Sequence, residues 1–255
     1  MGSYDFIDFK GCRIIVTGAS SGIGRAIAIE LNRLNASVVL IGRNQKNLEE
    51  TASLLLNKDH QVSCMDLDDL PSIVPKIKNL VSSSGPIYGL CHAAGIVETK
   101  PLATFNHKTF QRILNVNFTA AIELSRVVTR RDVMLPDGGA ILFISSIYHL
   151  IGMPGEIGYS ATKGAIRSAA RAMAIELARR RIRVNTLSPG MVRTPMTDDA
   201  LANLPQNSVE TLRQSHPLGF GTPEDIARGA AFLLAPVNKW ITGIDLVIDG
   251  GRTAH

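Results

Sequence analysis

The stretch Thr17-Gly18-Ala19-Ser20-Ser21-Gly22-Ile23-Gly24 decides how the rest of the chain is read. It follows a β-rich apolar run, Arg13–Thr17, and opens into a segment with Ile23, Ala26, Ile27 and Leu31 at helical spacing. Strand, glycine turn and helix in that order bring backbone close to a ligand. Without a Cβ the turn can be tight, and the N–H groups and positive dipole end of the following helix suit an anion such as a pyrophosphate. No Lys-Ser/Thr follows the turn, so it is not a P-loop. A simple packing turn could use the same residues, and the choice rests on what lies further along the chain.

The next strand, Ser37–Ile41, ends in Gly42-Arg43. A dinucleotide fold selective for NAD places an acidic residue about 20 residues after the glycines, against the ribose hydroxyls. Arg43 stands there instead, and a guanidinium suits a 2′-phosphate by charge and adenine by planar stacking. The cofactor expected is therefore NADP(H), with Arg43 as a solvated residue opening a helix the competing reading.

From end to end, short apolar runs alternate with longer helix-period segments, which predicts a doubly wound α/β Rossmann fold with a seven-stranded parallel sheet covered by helices on both faces. The strands are read as Arg13–Thr17, Ser37–Ile41, Gln61–Met65, Tyr88–Ala93, Ala140–Ser145, Arg183–Leu187 and Asp245–Ile248. Gly22–Asn35, Asn44–Asn57, Leu70–Val81, Thr109–Arg131, Ile157–Arg179 and Pro223–Leu234 are read as helices, with Pro71 and Pro223 at first-turn positions. The interval Pro189–Thr222 offers no strand and at most a short helix near Val209–Gln214. Residues 1–255 are expected to form one domain, with 189–222 as its substrate loop.

With 45% hydrophobic and 19% charged residues, the 255-residue chain has the composition of an ordinary globular enzyme. Its net charge of +5 fits an anionic partner or plain solubility. No basic stripe with interleaved aromatics suggests nucleic acid, and no apolar run suggests a membrane span or a signal peptide, so a cytoplasmic protein is expected. Cys12, Cys64 and Cys91 lie too far apart for a zinc motif and read as small buried strand residues. No metal is expected.

Chemistry is expected around Ser145-Ser146-Ile147-Tyr148 and Tyr159-Ser160-Ala161-Thr162-Lys163. Tyr159 and Lys163, four apart on a helix, share one face, and Ser146 ends the fifth strand, at the edge where open parallel sheets bind ligands. Hydride addition to a carbonyl builds negative charge on oxygen and needs a proton donor and an orienting group. A phenol can donate. Its ordinary pKa of ~10 is high for that task, and a neighbouring ammonium would favour the phenolate.

Taken together, the glycine spacing, Ser146, Tyr159 and Lys163 resemble the short-chain dehydrogenase/reductase family, with its TGxxxGxG and YxxxK elements, in the 3-oxoacyl-acyl-carrier-protein reductase-like branch. The resemblance implies an oxidoreductase in which Tyr159 is the acid/base, Lys163 lowers its pKa and bonds the nicotinamide ribose, Ser146 orients the substrate oxygen and Asn117 belongs to a water relay ending at the lysine. It implies cofactor contacts from Gly18, Ser20, Ser21, Gly22, Ile23, Gly24, Arg43, Asp66, Leu67, Ala93, Ala94, Gly95, Tyr159, Lys163, Pro189, Gly190, Val192 and Thr194. Cys91-His92-Ala93-Ala94-Gly95 occupies the family's NNAG position with both asparagines replaced, and His92 reads as packed rather than catalytic.

The partner implied is a small carbonyl or alcohol substrate, with a 3-oxoacyl thioester on acyl carrier protein or CoA as one candidate and steroid, sugar or polyol substrates as others. Substrate choice is expected in Tyr148–Gly158, Met191–His216 and the C-terminal tail, with Tyr148, Met153, Met191 and Met196 giving a partly apolar pocket. Arg130, Arg131 and the Arg179–Arg183 cluster would present a basic face to an acidic carrier, or be solvated helix ends. Thr109–Arg131 and Ile157–Arg179 are candidate faces for a homodimer or homotetramer. The rival class is a non-catalytic NADP-sensing regulator, against which the proton-donor set argues.

Overall fold

The computed structural model describes residues 7–254. Seven strands, β1 (Arg13–Thr17), β2 (Ser37–Gly42), β3 (His60–Cys64), β4 (Gly89–His92), β5 (Gly139–Ile144), β6 (Ile182–Pro189) and β7 (Asp245–Ile248), form one sheet in the order β3-β2-β1-β4-β5-β6-β7. Every pairing is parallel. The doubly wound fold expected from the sequence is the fold observed.

Strands β1, β2 and β5 are apolar on both faces because both faces are covered there. Along β1, β2 and β5, Ile14, Val16, Val38, Leu40, Ala140 and Leu142 point into one core, and Ile15, Val39, Ile41, Ile141 and Phe143 into the other. Helices α1 (Gly22–Arg33), α2 (Gln45–Ser53) and α9 (Pro223–Leu234) supply the first core, and α3 (Leu70–Ser84), α5 (Ala120–Val128) and α6 (Ile157–Leu177) the second. Strand order reverses between β1 and β4, where a crevice opens at the carboxyl ends, as in other doubly wound sheets.

Three expectations are corrected. The segment read as one helix, Thr109–Arg131, is α4 (His107–Leu114) and α5 joined by a π turn at Asn115–Thr119, closed by Ala120 N–H on the Asn115 carbonyl. The interval Pro189–Thr222 carries two helices, α7 (Pro195–Ala202) and α8 (Gln206–Gln214). Of the cysteines, Cys91 is buried in β4 and Cys12 is buried just before β1, but Cys64 is exposed where β3 ends at the sheet edge.

The arginine cluster is corrected as well. Arg183 is buried, and its guanidinium donates to the carbonyls of Leu233 at 2.6 Å and of Leu234 and Ala235 at 3.0 Å. It satisfies the orphan carbonyls at the end of α9, where a cation also meets the negative end of the helix dipole. Arg130, Arg131, Arg179 and Arg181 are exposed, but they precede β5 and β6, at the end of the sheet opposite the crevice.

Candidate active site

The crevice is a cleft of about 340 Å³ walled by the glycine turn, the ends of β2 and β3, the ends of β4 and β5, the π turn, α6 and the segment after β6. All the residues expected to hold a nucleotide line it: Gly18 and Ser20 to Gly24, Arg43, Asp66 and Leu67, Ala93 to Gly95, and Pro189, Gly190, Val192 and Thr194, as do Ser146, Tyr159 and Lys163. Asn117 is buried directly behind the wall. Gly42, Met65, Ile96, Val116 and Ile144 also line the cleft as flanks of the expected residues, together with Ser145 and, from the expected substrate segment, Pro195, Met196 and Thr197.

The glycine turn fits a phosphorylated ligand on its own geometry. Gly18 has φ +67°, and a Cβ there would lie 2.9 Å from the Ala94 backbone. At Gly24 a Cβ would overlap the Gly18 carbonyl. Ser21, the N-cap of α1, makes no side-chain cap, so the first-turn N–H groups face the cleft without an intramolecular acceptor from that residue. Across the opening, the Thr194 methyl lies 3.2 Å from where a Gly22 Cβ would be, which brings the turn and the post-β6 segment to opposite sides of one channel.

At the adenosine end, Arg43 and Asp66 are both exposed at the rim. A shallow extension beside Arg43 is formed by Ser20, Asn44, Gln45 and Lys46 at the start of α2. Asn44 caps that helix by accepting from Asn47 N at 3.1 Å. Lys46 adds a second cation that the sequence reading left out, because one lysine in a polar helix carries no pattern of its own.

The other end of the cleft holds the chemistry. Ser146 Oγ accepts from Tyr148 N at 3.2 Å and lines the cleft together with Tyr159. Lys163 Nζ donates to the Ile144 carbonyl at 2.7 Å and lies 5.4 Å from the Tyr159 ring centre. Asn117 sits in the π turn; its Oδ1 accepts from Ile96 N at 2.8 Å and its Nδ2 donates to Ile96 O at 2.9 Å. A Cβ on Gly95 would touch both Asn117 Oδ1 and Lys163 Nζ at 3.5 Å, so the two side chains meet at one point of the wall.

Burial pushes the Tyr159 phenol up, against a contribution from the Ser146 side chain that pulls it down. Burial also lowers Lys163 to about 8, so it remains mostly an ammonium at neutral pH. Glu156, three residues before Tyr159, is a buried carboxyl held by Thr99 Oγ1 at 2.5 Å and pushed up by burial. Its charge raises both Tyr148 and Tyr159.

His92 is packed, as expected. Its Nδ1 is 3.1 Å from Thr17 Oγ1, which in turn accepts from Ala94 N at 3.1 Å. Full burial lowers it to about 3, so it is neutral. Among the residues expected to shape a substrate pocket, Met196 lines the cleft and Tyr148 packs edge-on against Tyr159 at 6.2 Å. Met153 is exposed, and neither it nor Met191 lines the cleft. Among the described residues no His/Cys/Asp/Glu group could hold a metal, and no helix is long and apolar enough to cross a membrane.

Known proteins share this arrangement across nearly their whole length. A family model described as enoyl-(acyl carrier protein) reductase, adh_short_C2, matches residues 18–253. Gluconate 5-dehydrogenase of Gluconobacter oxydans is 32% identical over 98% of this chain and 97% of its own. The 3-oxoacyl-acyl-carrier-protein reductase FabG of Thermotoga maritima is 32% identical over 95% of this chain and 98% of its own, and D-erythrulose reductase of Gallus gallus 31% identical over 96% and 97%. Among solved structures, a short-chain dehydrogenase/reductase from Serratia marcescens superposes with a TM-score of 0.88 at 28% identity, covering 96% of this chain and 99% of that one. Fold, cleft and sequence thus agree: the chain belongs to the short-chain dehydrogenase/reductase family of oxidoreductases, which act with a nicotinamide cofactor.

Proposed function

We propose that this protein is an NADP(H)-dependent enzyme that interconverts a carbonyl and an alcohol on a small molecule. The observation that carries the reading is the convergence of Ser146, Tyr159 and Lys163 on the cleft whose other end is the glycine turn. A nicotinamide held there would supply or accept the hydride at the substrate carbon. Ser146 Oγ already accepts from Tyr148 N, so its hydroxyl proton is free to point at the substrate oxygen as charge develops. Tyr159 gives that oxygen its proton in reduction and removes it in oxidation. Lys163 supplies positive charge beside the phenol and holds the ribose; Asn117, fixed on Ile96, supports a water relay ending at Lys163.

NADP(H) is favoured by Arg43 with Lys46 at the rim and by Gly42-Arg43 in place of a carboxylate at the end of β2. Pro189, Gly190, Val192 and Thr194 would hold the carboxamide side, and Asp66 with Leu67 the adenine. In this reading the chain is one catalytic domain, active in the cytoplasm as a homotetramer or homodimer, with residues 189–222 acting as the substrate segment. Ile175, 80% exposed on α6, suits a face covered in such an assembly.

The substrate class is proposed as a 3-oxoacyl thioester, on CoA or an acyl carrier, with a hydroxyketone of the sugar or polyol type as the second reading, favoured by the gluconate and erythrulose enzymes among its relatives. Carrier docking on the Arg130/Arg179 face is not proposed, because that face lies at the far end of the sheet. The test is NADPH oxidation with 3-oxoacyl thioesters, 2-enoyl thioesters, hydroxyketones and steroids, with NADH and Tyr159→Phe as controls. NADPH-preferring turnover lost in the variant supports the proposal; cofactor binding with no turnover on any substrate would make the protein a regulator.

A further inference from the structure

A buried polar cluster beside the cleft takes no part in the chemistry above. His149 Nε2 lies 2.9 Å from Asp245 Oδ2 and 3.1 Å from Ser188 Oγ. The two side chains of the pair are only 3% and 6% exposed. A carboxylate can only accept, so Nε2 carries its proton and donates it to Asp245. Asp245 Oδ1 accepts from Thr186 Oγ1 at 2.6 Å and Ser188 Oγ at 2.7 Å, and Arg167 Nε stands 3.6 Å from Oδ2.

These partners belong to the segments that form the reacting end of the cleft. His149 ends the short turn Ile147–His149 that Ser146 caps. Ser188 precedes Pro189 at the end of β6, and Arg167 is one helical turn beyond Lys163 on α6. One buried carboxylate on β7 therefore ties together the serine turn, the post-β6 segment and the helix of Tyr159 and Lys163.

We propose that the His149–Asp245 pair is a positioning device for the reaction, fixing the direction of the Ser146 hydroxyl; this rests on the substrate-orienting role proposed for Ser146. The Tyr148 N–H that occupies Ser146 Oγ belongs to a single turn, closed by His149 N on Ser146 O at 3.3 Å and Leu150 N on Ile147 O at 2.8 Å. A turn this short does not support itself in isolation. The ring of His149 holds its far end against β6 and β7. With that ring gone, Tyr148 N can drift from Ser146 Oγ, and the hydroxyl loses its fixed direction.

The deciding experiment joins hydrogen exchange to a kinetic cycle on the full-length protein. His149→Ala is expected to speed amide exchange at residues 146–150 by about tenfold or more, a readout that needs no substrate. It is expected to lower kcat by about 10- to 100-fold, with the NADPH dissociation constant and KM nearly unchanged. In a Ser146→Ala background the same change should cost nothing further, because its effect runs through Ser146. His149→Gln, which keeps a donor for Asp245, should recover most of the exchange protection and guards against a variant that simply misfolds. Unchanged exchange in His149→Ala overturns the inference, as does an equal kcat loss with and without Ser146. Wild-type protein that binds NADPH but turns over no substrate would instead count against the proposed function, leaving the exchange result to decide the positioning role.

Discussion

The nucleotide end of the cleft and its substrate end are built by different means. At the nucleotide end, backbone does the shaping: Gly18 and Gly24 sit against carbonyls and Cα atoms of neighbouring segments, and Ala19, Val16, Leu40 and Ile41 behind them are wholly buried. At the substrate end, α8 contains no buried residue and Met196 on α7 is half exposed. That end is held by a few hydrogen bonds instead, two of them through the His216 side chain. His216 Nε2 accepts from Met191 N at 3.3 Å, its Nδ1 donates to Leu212 O at 2.9 Å, and Leu218 N reaches the C-terminal tail at Gly250 O, 3.0 Å away. Nucleotide binding is thus written into close-packed backbone, and in the proposed reading substrate choice falls to a surface that can vary without cost to the core.

The largest effect that tests this division lies where the two ends meet. Tyr159→Phe should lower kcat by about 10²- to 10⁴-fold with NADPH affinity unchanged, since only the proton donor is lost. Loss of NADPH binding in a fluorescence titration would show that the phenol belongs to the nucleotide end instead. Next, Gly24→Ala should destabilise the fold by about 1–3 kcal/mol and weaken nucleotide binding together, because the added methyl meets the Gly18 carbonyl. A variant with wild-type Tm and Kd would break the claim that backbone closeness shapes this end.

Arg43→Asp should weaken NADPH by about 10- to 100-fold, the worth of one charge-assisted contact, while NADH changes little or improves. An equal loss for both cofactors would remove the 2′-phosphate from the reading.

A smaller, pH-dependent effect comes from His92. Its pKa falls from 6.5 to about 3 on folding, so between those values the unfolded chain binds a proton that the folded chain does not. Stability is complete above 6.5 and drops as pH falls, by at most about 1.4 kcal/mol per pH unit from this group. Denaturant unfolding of wild type and His92→Asn should converge as the solution is acidified; parallel curves would mean the imidazole is charged inside the fold. The smallest expected change is at the substrate end. Met196→Ala should shift stability by no more than about 0.5 kcal/mol while altering KM across a substrate panel. A large drop in Tm would put Met196 in the core rather than on the variable surface.

Legibility in the sequence follows the same division. The seven strands were readable to within a residue or two, the central ones because a sheet covered on both faces demands continuous apolar runs, and the glycine turn because φ above zero and close approach leave few residue types. Ser146, Tyr159 and Lys163 were readable through spacing on known elements. Of the two helices that follow β6, α8 was readable only in its second half, near Val209–Gln214, and α7 was not, since neither shows a buried stripe among the described residues to give a period. Nor was Arg183: in sequence it extends a basic run, and only the fold reveals that β6 carries it beneath the end of α9. His149 and Asp245 lie 96 residues apart, and no local pattern links them.

The π turn at Asn115–Thr119 carries one residue more than a straight helix from α4 to α5 would need. Removing any one of the five would let the backbone relax into a continuous, more regular helix. It would also draw Asn117 into the regular ladder and take its amide off Ile96. For this segment, length is inherited information as much as residue type: a chain shortened here by a single codon would gain a better helix and lose the wall of its cleft.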